Sequence, residues 1–155
     1  MAIEIITYKP KFRKHFYELN IEWLQNYFYV EPYDEEVLSK PEIYILDKGG
    51  DILFLMDNGT VVGTSALMPT ADKDVMELTK MAIEPSQRGK KFGNLLLKET
   101  IDYAKGKNLK ELILYSNRIL ENAIHLYRKF GFIEEPLEAN LPYKRANIKM
   151  RLKLH

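Results

Sequence analysis

The sequence predicts an α/β domain in which an antiparallel hairpin and a βαβ unit share one sheet, flanked by helices. Three observations carry that expectation. Asp57-Asn58-Gly59 sits between two β-rich runs, and Asn-Gly is a strong hairpin signal because a tight two-residue turn needs positive φ at its centre. Residues 75–83 read as a strand, which passes through a glycine-containing basic loop into a helix and then into the apolar run 112–115. Such a unit returns its second strand parallel to the first, with a right-handed crossover. Finally, residues 147–154 alternate, with Ile148, Met150, Leu152 and Leu154 on one face of a half-buried strand.

The other elements follow in order. Residues 3–8 are mostly apolar and β-branched and stop before Pro10, which has no amide to give a sheet; they read as a first strand. Phe12, Phe16, Leu19, Trp23 and Tyr27 recur at helical spacing, giving one or two aromatic amphipathic helices, and YDEEVLSKP reads as a short helix. Leu96, Leu97, Ile101 and Ala104 mark the helix of the βαβ unit. Leu120, Ala123, Ile124 and Tyr127 mark a fourth, with Gly131 placed to end it in a left-handed cap. No repeat or flexible linker interrupts the chain, so residues 1–155 read as one domain.

Composition narrows the function. Lys and Arg number 23 against 22 Asp and Glu, so the net charge of +1 gives no global case for nucleic acid or an anionic membrane. Any anion site has to be local. No cysteine is present, which excludes disulfides, thiolate metal sites and a cysteinyl intermediate. His15, His125 and His155 are scattered without metal-ligand spacing, so no metal is expected. No run approaches the ~20 apolar residues of a membrane span and the first residues lack a secretion signal, so a cytoplasmic location is expected.

The chemistry-bearing segment is Gln87 to Asn94, QRGKKFGN. Here a glycine-containing turn enters a helix, whose first amides have no intrahelical acceptor and can converge on one anion. Gly89 and Gly93 give room for close approach, and Arg88, Lys90 and Lys91 add charge. From the residues alone, a pyrophosphate cradle and a solvated basic turn are equal readings. The spacing is neither a dinucleotide fingerprint nor a Walker loop.

Taken together, MELTKMAIEPSQRGKKFGNLLLKETIDYAK and SNRILENAIHLYRKFGF resemble the cofactor-binding core of the GNAT acyl-CoA N-acyltransferase superfamily, most strongly over residues 77–132. The resemblance implies a GNAT-like fold, a central mixed, mostly antiparallel, splayed sheet flanked by about four helices. It implies acetyl-CoA as co-substrate, with the pyrophosphate on amides of the loop Arg88, Gly89, Lys90, Lys91, Phe92, Gly93 and Asn94, and the pantetheine arm paired along Met81, Ala82 and Ile83. Asn117 and Asn122 become polar contacts to the pantetheine or adenosine, although turn and helix-start roles are commoner for asparagine. One departure stands out: the family loop favours glycine where this chain has Lys91, at a cost on the order of 1 kcal/mol if φ there is positive.

Acetyl transfer to an amine needs a base, a donor to the oxyanion and an acid for the leaving thiolate. Tyr127 resembles the family tyrosine that donates to sulfur, although spacing alone makes it a core residue. Glu77 resembles the family glutamate that takes the amine proton, and a solvent-facing strand position is an equal reading. A main-chain amide near Met81 or Ile83 would serve the oxyanion. Trp23, Tyr27, Phe28, Tyr29 and Tyr33 read as core, dimer contact or acceptor pocket, and Glu31, Asp34, Glu35 and Glu36 as a solvated face or an attraction for a cationic acceptor. The expected partners are a small-molecule or peptide amine, with a homodimer possible and no nucleic acid or membrane. The expected activity is N-acetyl transfer to a primary amine by direct attack in a ternary complex; the alternative is a non-catalytic acyl-CoA-binding regulatory module.

Overall fold

In a computed structural model that describes residues 3–89 and 91–155, β1 (Ile3–Thr7) ends shortly before Pro10, which begins a single 3-10 turn leading into α1 (Arg13–Tyr27). Pro32 occupies the first turn of α2 (Pro32–Ser39), where its missing amide costs nothing. A π-helical turn, Glu42–Leu46, then leads to β2 (Asp51–Asp57) and β3 (Thr60–Pro69). Asn58 and Gly59 join these strands with φ of 51° and 81°, the turn expected of Asn-Gly. β4 (Val75–Ile83), α3 (Phe92–Gly106) and β5 (Glu111–Ser116) form the βαβ unit, and α4 (Glu121–Lys129), β6 (Ile133–Glu135) and β7 (Ile148–Lys153) complete the chain.

The strands form one sheet in the order β1-β2-β3-β4-β5-β7-β6, antiparallel throughout except for the parallel pair β4 and β5. Helices cover both faces. On one, Phe16, Leu24, Val37 and Leu38 from α1 and α2 bury against Phe54, Ala66 and Ala82. On the other, Leu97, Ile101 and Ala104 of α3 and Ile124 of α4 bury against Leu67, Leu78, Leu112 and Met150. Each such side chain contributes roughly 1.5–3 kcal/mol when fully buried, and the two cores pin helices to a sheet whose neighbouring strands part at one place.

That place is the middle of β4. Its ladder with β5 runs only from Val75/Glu111 to Glu77/Ile113, after which β5 continues to pair with β7 and the two strands part. On its other edge β4 bulges against β3, where the register shifts between Thr64/Ala82 and Ala66/Thr79 and Lys80 takes φ of +54°. Leu78 packs into the α3/α4 core while Ala82, four residues on, packs into the α1/α2 core. In an unbroken strand both would share a face; the extra residue reverses the phase. The sheet is therefore wedge-shaped at its centre, and the wedge is open to both faces.

Two features were not read from the sequence. β6 is only three residues long and the Glu42–Leu46 turn has neither helical nor strand period at its length. Gly50 shows why that turn is compact: a Cβ there would stand 2.5 Å from the carbonyl oxygen of Leu67 and 2.8 Å from that of Ile45.

Candidate active site

The wedge between β4 and β5 opens a cavity of about 290 Å³. Glu77, Met81, Ala82, Ile83, Arg88, Asn117 and Tyr127, all singled out from the sequence, line it. Glu77 is the last β4 residue paired to β5 and so stands at the apex of the wedge. Burial raises its carboxyl to about 7, against the lowering influence of Lys80. A carboxyl so placed exchanges protons near neutrality.

Tyr127 enters from α4. The helix ends where Gly131 adopts φ of +103° and the Phe132 amide donates to the Tyr127 carbonyl at 3.0 Å, which fixes the tyrosine backbone. Its ring packs edge-on against Phe132 at 5.8 Å between centroids. Tyr127 is thus both a packing residue and a cavity residue. Burial raises its hydroxyl to about 12, so the proton stays on the oxygen at neutral pH and the group is a donor.

Along β4 the backbone beyond Glu77 has no strand on its β5 side. The Glu84 amide donates to Val62 on β3 at 2.8 Å, so alternation directs the Ile83 amide away from β3 and into the wedge. The chain then makes a short turn, Pro85–Gln87, capped by the Glu84 carboxylate on the Ser86 amide, and reaches the basic loop. Gly89 has φ of +85° and Lys91, the N-cap of α3, has φ of +66°. The lysine does sit at a left-handed position, where an L residue carries strain of about 1–2 kcal/mol. The side chain of Lys91 does not cap the helix, and the first intrahelical bond is Leu95 to Lys91 at 3.1 Å. The amides of Phe92, Gly93 and Asn94 precede it and lack intrahelical acceptors. Gly89, Lys91, Phe92, Gly93 and Asn94 lie outside the cavity lining, next along the chain from Arg88. Lys90 falls outside the described residues.

Arg88 turns toward α1, with its guanidinium 2.6 Å from the Glu22 carboxylate and 6.0 Å from the centre of the Tyr27 ring. Asn117 is a tie as well as a lining residue: its side chain donates to the Arg145 carbonyl at 2.6 Å and accepts from the Ile119 amide at 2.9 Å. Asn122 is exposed on the first turn of α4 and does not line the cavity.

Sequence reasoning missed a charged network beside Glu77. Asp34, fully buried in α2, accepts both terminal nitrogens of Arg145 at 2.7 and 2.8 Å, and the Lys80 ammonium stands 3.4 Å away. Burial works to raise Asp34, but Arg145 and Lys80 outweigh it and hold the carboxyl below its usual range. Glu31 accepts from Arg145 at 3.1 Å and from the Lys144 amide at 2.9 Å. The Tyr143 hydroxyl bonds Lys80, whose ammonium lies 4.2 Å from that ring's centre. Burial lowers Lys80 to about 8, opposed by Asp34. The signal available in the sequence was Lys80 itself, a second charge beside Glu77 in a largely apolar strand; Tyr143 and Arg145 lie in an irregular segment that gives none.

Trp23, Tyr27 and Phe28 line the α1 side of the cavity. Tyr29 is exposed, and Tyr33 packs on Tyr143 at a tilt, 5.3 Å between ring centroids, without lining the cavity. Glu35 and Glu36 are exposed and bonded to Tyr17 and Tyr44. Among the described residues no cluster of His, Asp and Glu has the arrangement to hold a metal, and no helix is long and apolar enough to cross a membrane.

A mixed sheet splayed at one parallel pair, with a basic turn and a helix start directly beyond the splay, defines the acyl-CoA N-acyltransferase class of fold. Residues 13–132 match the acetyltransferase (GNAT) family, and the chain belongs to that family. Over 99 residues it is 29% identical to an uncharacterised N-acetyltransferase of Schizosaccharomyces pombe, a match covering 64% of this chain and 61% of that protein. The fold superposes on a GNAT-family acetyltransferase of Staphylococcus aureus Mu50 with a TM-score of 0.85 at 25% identity, over 99% of this chain and 100% of the other. It also superposes on the PaiA N-acetyltransferase of Thermoplasma acidophilum in complex with coenzyme A, with a TM-score of 0.77 at 24% identity over 99% of each chain.

Proposed function

We propose that the chain transfers the acetyl group of acetyl-CoA to a primary amine by direct attack in a ternary complex. The observation that carries this reading is that Glu77 of β4 and Tyr127 of α4 line one cavity. The site fits the co-substrate. The one-sided β4 backbone suits the pantetheine arm, and the amides of Phe92, Gly93 and Asn94 with the Lys91 charge suit the pyrophosphate. Acetyl-CoA supplies the activated thioester carbon.

In this reading Glu77 takes a proton from the amine, whose nitrogen attacks the thioester carbon as the C–N bond forms and the C–S bond breaks. The Ile83 amide, aimed into the wedge, donates to the developing oxyanion. Tyr127 donates its hydroxyl to the departing sulfur. Since its pKa is about 12, against ~8.5 for an ordinary thiol, the tyrosine works chiefly by hydrogen bonding to the thiolate, and complete transfer is uphill. The absence of cysteine accords with attack by the acceptor itself.

The test is thiol release from acetyl-CoA by wild type and Tyr127→Phe against a panel of amines, with acetyl-CoA affinity measured separately. Tyr127→Phe should bind the cofactor unchanged and lose roughly 10²–10³ in kcat. Equal turnover by the variant would remove Tyr127 from the chemistry, and cofactor binding without any amine acetylation would leave only a binding module.

A further inference from the structure

Resting on the transferase reading, we infer that the acceptor is a primary monoamine on an apolar or aromatic body, with no second positive charge. Among the described residues, the charged groups that line the cavity are Glu77, Lys80, Arg88 and Arg145, one carboxylate against three cations. The acidic residues that suggested a cationic acceptor are turned elsewhere. Asp34 and Glu31 are buried against Lys80 and Arg145, and Glu35 and Glu36 are exposed and bonded to Tyr17 and Tyr44. None of the four lines the cavity.

A single ammonium therefore meets a single carboxylate, Glu77, the group that accepts its proton. A second ammonium on the same molecule finds no further carboxylate in the cavity wall to pair with, and the cost of desolvating it unpaired selects against polyamines. The Tyr143 ring already holds cations, since Lys80 and Arg145 lie 4.2 and 4.4 Å from its centre. An acceptor carboxylate fares no better. The terminal nitrogens of Arg145 are directed at Asp34 and Glu31, and the incoming anion would face Glu77. What the wall does offer is aromatic surface: Trp23 packs with Tyr27 at 5.3 Å and with Phe28 at 5.7 Å between centroids, on the α1 side.

The experiment compares initial rates with phenethylamine, isoamylamine, spermidine and L-phenylalanine at saturating acetyl-CoA. The two monoamines should exceed spermidine and L-phenylalanine in kcat/KM by at least about tenfold. Trp23→Ala, and separately the more exposed Tyr27→Ala, should raise KM for phenethylamine by a larger factor than KM for acetyl-CoA. Acetylation of spermidine or L-phenylalanine at equal or higher kcat/KM would overturn the inference while leaving the transferase reading intact. Cofactor binding with no acetylation of any amine would overturn the transferase reading itself.

Discussion

Glu77 has a location that sets its proton affinity and, in the proposed mechanism, its part in turnover. Burial holds the carboxyl near 7, and only its ionised form can accept a proton. With decreasing pH the base is lost, so kcat/KM should fall through an apparent pKa near 7 on the acidic side, separately from the limb set by the amine's own ionisation. Glu77→Gln should remove that acidic limb and lower kcat by roughly 10²–10⁴; an unchanged profile in the variant would assign the limb to another group. Sequence alone could not settle which way Glu77 points, because Glu77, Thr79 and Lys80 are all polar and only the bulge at Lys80 reconciles them with one strand. Tyr127 was ambiguous for a different reason: its helical spacing marks it as packing, and it does pack, on Phe132, while also reaching the cavity.

Among the elements, α2 is tied to β4 and to the segment before β7 by one buried carboxylate. Asp34→Asn would leave Lys80 and Arg145 without that partner, and truncating one member of a buried charge set costs about 3–5 kcal/mol. Urea unfolding should show a loss of that order at constant m-value, and a loss below about 1 kcal/mol would mean the network is solvated. At the start of α3 the sign is opposite. Lys91→Gly relieves a left-handed lysine and should raise the melting temperature, while weakening acetyl-CoA binding at low salt by removing a charge beside the loop. A lower melting temperature in this variant would contradict the strain. The hairpin at Asn58-Gly59, the βαβ unit and the alternation of β7 were legible because each depends on local periodicity or turn chemistry. The three-residue β6 and the π-turn were not, since each is held by tertiary contact.

At the level of the whole molecule, local preferences agree nearly everywhere, and the exceptions gather at one wedge: Lys80 and Lys91 at positive φ, and charges buried beside the strand that parts from its neighbour. The splay itself leaves no mark in the sequence, because it is the absence of pairing between residues 78–83 and β5. The resemblance of residues 77–132 to a known family is what made it foreseeable. Its consequence is a single geometry, with backbone donors along β4, a helix start beyond them, and Glu77 and Tyr127 in the lining of one cavity. A crystal structure of the chain with coenzyme A tests that geometry most directly. The account predicts the pantetheine arm along Met81–Ile83, the pyrophosphate at the amides of residues 92–94 and the sulfur within hydrogen-bonding reach of the Tyr127 hydroxyl. Coenzyme A bound elsewhere, or in the wedge with its sulfur turned away from Tyr127 and Glu77, would contradict it.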